Sequence, residues 1–530
     1  MHSRILLGVG IFGLAGCGIF GSDGGDGPAA AVTAANPPAR DEGDAAAAQQ
    51  LPDGAPPPAV GTPDTTELTE TFGVFVTPTG TADGDGTRQH PFATIAAGIE
   101  RVKDLKLRVY VCGGTYKEAI SLVNAVSVIG SLSCDGGMWK TGGARTILAA
   151  PTSPAVRAKD IGNVTRFDGL DVLAPAGTAD SPSSIALIAE NASALTIANA
   201  KLIAAKAFDG IDGTAAIQLT AGTTLNGHAS LPFSSSLPNP LVGPRANPGQ
   251  VGGVGSCVGA PGHDGENGKT GGDGAAEICT KITHLNGAPT SYWWEIAYNA
   301  NVPQNRSDGV PGTGAPGANG SDGASASKIG AFTLDGYSPL DGIAGADGIP
   351  GYGGRGGNGA PTHVGVDCGQ ANEGSVIDDA SGAGGGAGGC PGLAGKAGTG
   401  GGASIAALVF NSAGLSLTAT ELVAAEGGNG GKGAFPSAPS AGGNPGTPEG
   451  GTTLATAGGA GGGAGFSGNG AGGPSVALAH TGGEIVVAPD THLTAGAAGA
   501  GVPERSMVVS GVTVTIPASV PGPAMPILAF

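Results

Sequence analysis

Apolar and polar positions along this chain alternate in short bursts, and one group of bursts recurs. Ser184–Lys206 reads SIALIAENASALTIANAKLIAAK and Ser404–Glu426 reads SIAALVFNSAGLSLTATELVAAE. The two align without a gap, and Ser184/Ser404, Ile185/Ile405, Asn191/Asn411, Leu195/Leu415 and Leu202/Leu422 are identical. Each copy carries two short runs in which apolar residues fall two apart, as in Leu195-Thr-Ile197 and Leu415-Ser-Leu417. Period two marks a strand with alternate side chains buried, and repeated strand–turn units stack as a solenoid. Asn191 and Asn411 fall at a turn, where Asn tolerates positive φ and its amide reaches the neighbouring coil.

The same pattern predicts strands at Phe72–Thr77, Leu107–Cys112, Ala119–Leu122, Val126–Ile129, Thr146–Leu148, Ala155–Ala158, Val164–Leu173 and Ala216–Thr220. Gly113–Tyr116 reads as a turn. Pro91, followed by Ile95, Ile99 and Val102 at helical spacing, predicts a short helix. Val476–Leu478, Ile485–Val487, Met507–Val514 and Met525–Leu528 are the last strands. Three of these pieces, VFVTPTG at Val74–Gly80, PFATIAAG at Pro91–Gly98 and VYVCGGTY at Val109–Tyr116, follow one another in order. Together they resemble the opening of pectin-lyase-like proteins, with Gly98 where that pattern carries Ala. The resemblance implies an all-β fold, a right-handed parallel β-helix whose coils carry long glycine-rich loops.

Composition fits an elongated array better than a compact enzyme core. Of 530 residues 104 are Gly, while only 12% are charged and 4% aromatic. The balance of 42 acidic against 24 basic residues gives a net charge of −18. That argues against nucleic acid, whose binding needs Lys and Arg to neutralise phosphates.

At the N-terminus a basic start, Met1–Arg4, precedes the apolar run Ile5–Leu14 and then Leu14-Ala15-Gly16-Cys17. The run is too short to span a bilayer and has signal-peptide proportions. Its end is similar to the lipobox of bacterial lipoproteins. That resemblance implies cleavage before Cys17 and lipidation there, and Gly18 implies the outer membrane by the family's sorting rule. Several acyl chains anchor stably where one does not. Asp23–Asp64, rich in Pro, Ala, Gly and Asp and without apolar periodicity, reads as a tether.

Cys17 apart, six cysteines fall as Cys112/Cys134, Cys257/Cys279 and Cys368/Cys390, each pair spaced by 22 residues. The repeat copies lie 220 apart, so 22 reads as a coil length, with each pair one above the other on adjacent coils. An even count in an exported chain favours disulfides, each worth about 3 kcal/mol at this loop length. No CxxC or neighbouring His pair accompanies them, and no paired His serves a thiol nucleophile.

Glycine recurs every third residue from Gly259 to Gly274, from Gly342 to Gly357 and from Gly386 to Gly401, and more loosely over Gly427–Gly473. The runs are short and their phase breaks, which departs from collagen. They look like the glycine-rich loops of PE-PGRS-type proteins or polyglycine-II bundles; disordered loops are the alternative. One stretch differs: Tyr292, Trp293 and Trp294 stand together, suited to contacting a ligand or to plugging the flank of the coils.

Catalytic signals are weak. Pectin-lyase-like enzymes use Asp clusters, whereas Asp83, Asp85, Asp209, Asp212, Asp264, Asp273, Asp322, Asp335, Asp341 and Asp347 precede Gly, the usual turn pair. No calcium repeat, P-loop, GxSxG or HExxH occurs. The sequence therefore predicts no catalytic residue, metal or cofactor. Its boundaries are a signal peptide at 1–16, lipidated linker at 17–65, β-helix at 66–240, glycine-rich inserts at 241–402 and β-helix at 403–530 with a glycine-rich loop at 427–473. The expected role is a lipid-anchored envelope protein, surface-exposed or periplasmic, that binds polysaccharide or surface proteins or is purely structural. A polysaccharide lyase or glycoside hydrolase on the same fold is the alternative. An ice- or matrix-binding face built on threonines such as Thr418/Thr420 and Thr513/Thr515 is a third.

Overall fold

Three parallel sheets organise the protein. The computed structural model describes residues 68–232, 234–236, 247–260, 262–274, 276–282, 293–296, 307–360, 376–378, 380–449 and 452–530. Sheet A runs in the order Gly73–Thr81, Arg108–Cys112, Val128–Leu132, Thr165–Asp168, Leu195–Ala198, Ser416–Thr418, Val486–Val487. Sheet B runs Gly114–Tyr116, Thr146–Ala149, Leu170–Leu173, Lys201–Ala204, Glu421–Ala424, His492–Thr494. Sheet C runs Ile120–Leu122, Val156–Lys159, Ser184–Glu190, Ser404–Phe410, Ser475–Thr481, Ala524–Ala529. From Arg108 onward the chain visits A, B and C in rotation, leaving the cycle for excursions and returning to the sheet that is next in turn.

Side chains facing inward from all three sheets meet in one cluster that includes Val111, Val128, Leu148, Val172, Leu187, Ile197, Leu202, Leu417, Leu422 and Leu478. The predicted helix is Ile95–Val102, and its buried Ile95, Ile99 and Val102 join that cluster at the first rungs. Thr94 caps it by accepting from Ala97 N, and the Glu118 carboxylate accepts from Ile95 N at 2.7 Å and Ala96 N at 3.0 Å. Both satisfy amides that the first helical turn leaves unpaired.

Several local expectations change. Val164–Leu173 is two strands in different sheets, because Gly169 turns the corner at φ +76°. Gly114–Tyr116, expected as a turn, is a sheet B strand after Gly113. Each repeat copy holds three strands, one per sheet. Asn191 and Asn411 do take positive φ, +50° and +47°, and the Asn191 amide donates to Asp160 Oδ1 at 2.9 Å, 31 residues away on the adjacent rung.

The largest correction concerns the repeat. Ser184 pairs with Ser404, Thr196 with Ser416 and Lys201 with Glu421, so the copies are adjacent rungs in register and their 220-residue offset does not measure a 22-residue coil. The residues between them form one excursion from a single circuit. Part of it returns over sheet C: the hairpin of Ala331–Thr333 and Gly336–Ser338 puts Phe332 and Tyr337 on Ile185, Ile188, Ile405 and Leu408. Sheet C is thus covered on both faces, which explains why SIAALVF at Ser404–Phe410 is buried throughout.

The glycine-rich runs are ordered against one another. Gly351 N, Gly354 N and Gly357 N donate to the carbonyls of Gly389, Gly386 and Ala383, an antiparallel pairing that advances three residues per bond. Gly386 N, Gly389 N and Gly392 N donate onward to Thr456, Gly459 and Gly462 in parallel. Further such segments flank both, so the excursions form a bundle of extended chains. A Cβ on Gly385 would lie 2.2 Å from Gly354 O, and one on Gly388 would lie 1.9 Å from Gly351 O. Only glycine lets these backbones approach so closely.

Most of the Asp-Gly pairs are not turns. Asp83, Asp85 and Asp335 lie in or beside turns, but the others bridge bundle segments. Asp209 Oδ1 accepts from Asn429 N at 2.8 Å while Gly210 N donates to Asn429 O at 2.7 Å. Asp212-Gly213 grips Lys432 in the same way, and Asn319-Gly320 grips Gly463. Asp341 and Asp347 bridge antiparallel neighbours, accepting from Gly400 N and Ala394 N; Asp264, Asp273 and Asp322 accept from Cys257 N, Gly249 N and Phe466 N. A carboxylate or amide one bond before glycine therefore supplies the acceptor for an amide at the surface of the bundle.

A candidate binding groove beside the glycine bundle

The cysteines come first among the predicted positions. Cys112 and Cys134 are bonded across adjacent rungs, with Cα atoms 5.8 Å apart. The other two expected pairings are corrected: Cys257 bonds Cys390, 133 residues away, so it is not joined to Cys279, nor Cys390 to Cys368. The equal spacing of 22 does not report stacking there, because both segments belong to the bundle, where neighbours are set by the folding back of long runs. Cys390 is buried with Leu219 and Leu393. Cys17, Tyr292 and Cys368 lie outside the described residues. Cys279 is on Ala276–Ile282, which pairs antiparallel with Trp293–Ile296, the strand carrying Trp293 and Trp294; their side chains are likewise outside the description.

Charged groups on the open face of sheet B stand in a ladder of opposite signs. Arg145 pairs with Asp171, and Lys201 Nζ lies 2.6 Å from Glu421 Oε2. Thr420 points inward, almost fully buried, and donates to Thr418 O, so Thr418 and Thr420 do not form a flat exposed row. Among the described residues no three His, Cys, Asp or Glu side chains converge as a metal site, and no helix is long and apolar enough to cross a membrane.

Among the described residues the most site-like feature is a groove of about 500 Å³ between the bundle and a β-hairpin. The hairpin consists of Arg505–Val509 and Val512–Ile516, paired antiparallel. The expected single strand at Met507–Val514 is interrupted by Ser510 and Gly511, whose φ of +50° and +80° make a two-residue reverse turn that follows the strand twist. At its base the Arg505 guanidinium lies over Phe435, 5.3 Å from the ring centroid, and donates to Asn469 Oδ1 at 3.0 Å and to Gly433 O. Burial lowers the pKa of this arginine, which remains a cation at any ordinary pH.

Val509, Val512 and Val514 line the groove on the hairpin side, and Pro436, Pro439 and Phe466 on the bundle side. Asn319 and Asp322 form one wall. Its floor is Gly461, Gly463, Ala464 and Phe466, in a segment held by Gly461 N to Ser440 O and Gly465 N to Ala346 O. The lining is about evenly polar and apolar, with Asn319, Asp322, Ser437, Ser510, Thr513 and Thr515 among it, and the groove has the size of a ligand cleft. Sequence reading missed it because its walls come from four segments far apart in the chain. The one local signal was Ser-Gly between alternating apolar residues. Comparison of the chain with protein-family models, with curated proteins and with solved structures finds no match in any of the three.

Proposed function

We propose that this is a lipid-anchored protein of the bacterial cell envelope whose role is to present binding surface. The three sheets, entered in rotation and stacked in parallel register, are read as the faces of a right-handed parallel β-helix. The glycine-rich excursions are read as a polyglycine-II bundle, since their bonds advance three residues at a time, the period of that helix. The observation that carries the functional reading is the adjacency of the repeat copies, with Ser184 beside Ser404. The described strands between the copies join none of the three parallel sheets, so this stretch adds surface without adding a rung. That investment makes lateral surface, while the carboxylates Asp171 and Glu421 on the open sheet face are each engaged by a cation, which suits binding better than acid–base chemistry. Polysaccharide or another surface protein is the proposed partner, with the lipobox at Cys17 as the attachment.

Labelled palmitate fed to expressing cells tests the anchor: the label is expected in the wild-type chain and lost in Cys17→Ser, and label retained in the variant overturns the reading. Protease treatment of intact cells then separates a surface location from a periplasmic one.

A further inference from the structure

We infer that the groove under the Arg505–Ile516 hairpin binds a proline-rich, basic peptide segment of another protein in the polyproline-II conformation. The inference deepens the binding role proposed above and rests on it only for the existence of a partner.

The first argument is an uncovered glycine. Along the segment that supplies the floor, Gly461, Gly462 and Gly465 each face a neighbouring carbonyl: a Cβ would lie 2.0 Å from Cys390 O, Ala318 O and Ser321 O respectively. Gly463 sits among them and differs, because the nearest atom to its Cβ position is Asn319 Oδ1 at 3.5 Å. It lines the groove, and its φ lies outside the left-handed region, so backbone conformation does not account for the glycine. A bare backbone face that opens onto a groove, in a bundle built of extended chains packed through their glycines, is shaped for one more such chain.

The second is pitch. Pro436 and Pro439 stand three residues apart on one wall, one per turn of a three-residue helix that rises roughly 9 Å per turn. A polyproline-II ligand has the same repeat, so its side chains seat between these ridges in register. Val512, 65% exposed, and Val514 supply the opposing apolar surface.

The third is polarity and charge. Asn319 Oδ1 already accepts from Gly463 N, and the Ser437 hydroxyl already accepts from Leu393 N. The Gly461 and Gly463 amides of the floor are likewise paired within the bundle, and proline brings no N–H that would need a partner there. Asp322 is the charged group among the described lining residues; one oxygen accepts from Phe466 N at 3.2 Å. Its uncompensated charge selects an Arg or Lys beside the prolines.

The test is fluorescence-anisotropy titration of the full-length protein with a labelled synthetic peptide of repeated Pro-Pro-Ala triplets containing one Arg. Saturable binding is expected, weakened at least about tenfold when the peptide's prolines become alanine. Gly463→Val fills open space, keeps the fold by circular dichroism, and abolishes binding. Asp322→Asn keeps the bridge to Phe466 N but weakens binding several-fold and removes most of its salt dependence. Undetectable binding to the wild type, or equal binding by a folded Gly463→Val, overturns the inference. If the wild type is palmitoylated and surface-located yet ignores the peptide, this inference alone falls and the envelope reading stands.

Discussion

Lys201 and Glu421 lie 2.6 Å apart on adjacent rungs, at equivalent positions of two repeat copies separated by 220 residues. Lys206 and Glu426 repeat the arrangement at 3.2 Å, so the copies differ in sign where their surfaces meet. Like charges opposed across neighbouring strands repel. Glu421→Lys is expected to lower the melting temperature slightly, and Lys201→Glu combined with Glu421→Lys to restore it only in part, because a carboxylate at 201 then faces Asp171 on the other side. A thermal-melt double-mutant cycle checks this; no coupling would place the two residues on separated rungs.

Gly385→Val drives a side chain into Gly354 O and is expected to destabilise the bundle by about 3 kcal/mol or more, the upper range of overpacking. Gly136→Ala, whose Cβ meets open space, removes no contact and costs only the strain of its φ of +62°. Denaturant melts compare the two.

Non-reducing peptide mapping is expected to recover Cys112 linked to Cys134 and Cys257 linked to Cys390. Their separations of 22 and 133 residues imply about 3 and about 5 kcal/mol in the chain-entropy model. Cys390→Ser should therefore cost more than Cys134→Ser, and should leave Cys257 open to alkylation once the bundle loosens.

Asn319-Gly320 is a chemically labile pair, since the glycine nitrogen attacks the amide carbon and expels ammonia. Here Asn319 Oδ1 is held by Gly463 N, and Gly320 N is bonded to Gly463 O, both at 2.8 Å. The attacking nitrogen is turned away. Mass spectrometry after prolonged incubation should find this site intact in folded protein and deamidated after reduction and heating.

Burial pushes the Tyr337 hydroxyl up to about 12, and burial with the nearby Glu118 raises Tyr116 as well. A raised acid binds its proton more tightly when folded, so its stabilising effect is complete below the ordinary value near 10 and lost as pH climbs towards the folded one. Melting temperature is expected to fall between about pH 10 and 12, accompanied by tyrosinate absorbance, and to fall less in Tyr337→Phe.

Strand positions were legible because burial of alternate side chains leaves period two in the sequence, as at Leu195 and Ile197. The helix was legible through Ile95, Ile99 and Val102. Rung adjacency was not, because a chain may leave a stack, wander and return at an entropic cost that grows only slowly with loop length. The copies therefore showed as a duplication without showing as neighbours. Asp209 and Asp347 were mistaken for turn residues since a carboxylate meets a nearby or a remote amide through the same hydrogen bond. The groove left least trace: Pro436, Gly463 and Val512 become one site only through tertiary folding.

Placing Ser404 directly on Ser184 also sets a timetable. While the chain is being made at the usual 5–20 residues per second, the strand Ser184–Glu190 waits on the order of tens of seconds for its partner Ser404–Phe410. During that interval it is an apolar edge with unpaired amides on its growing side, a template for any passing strand. A cell making this protein must either hold the chain extended until residue 410 has appeared, or shield that one edge.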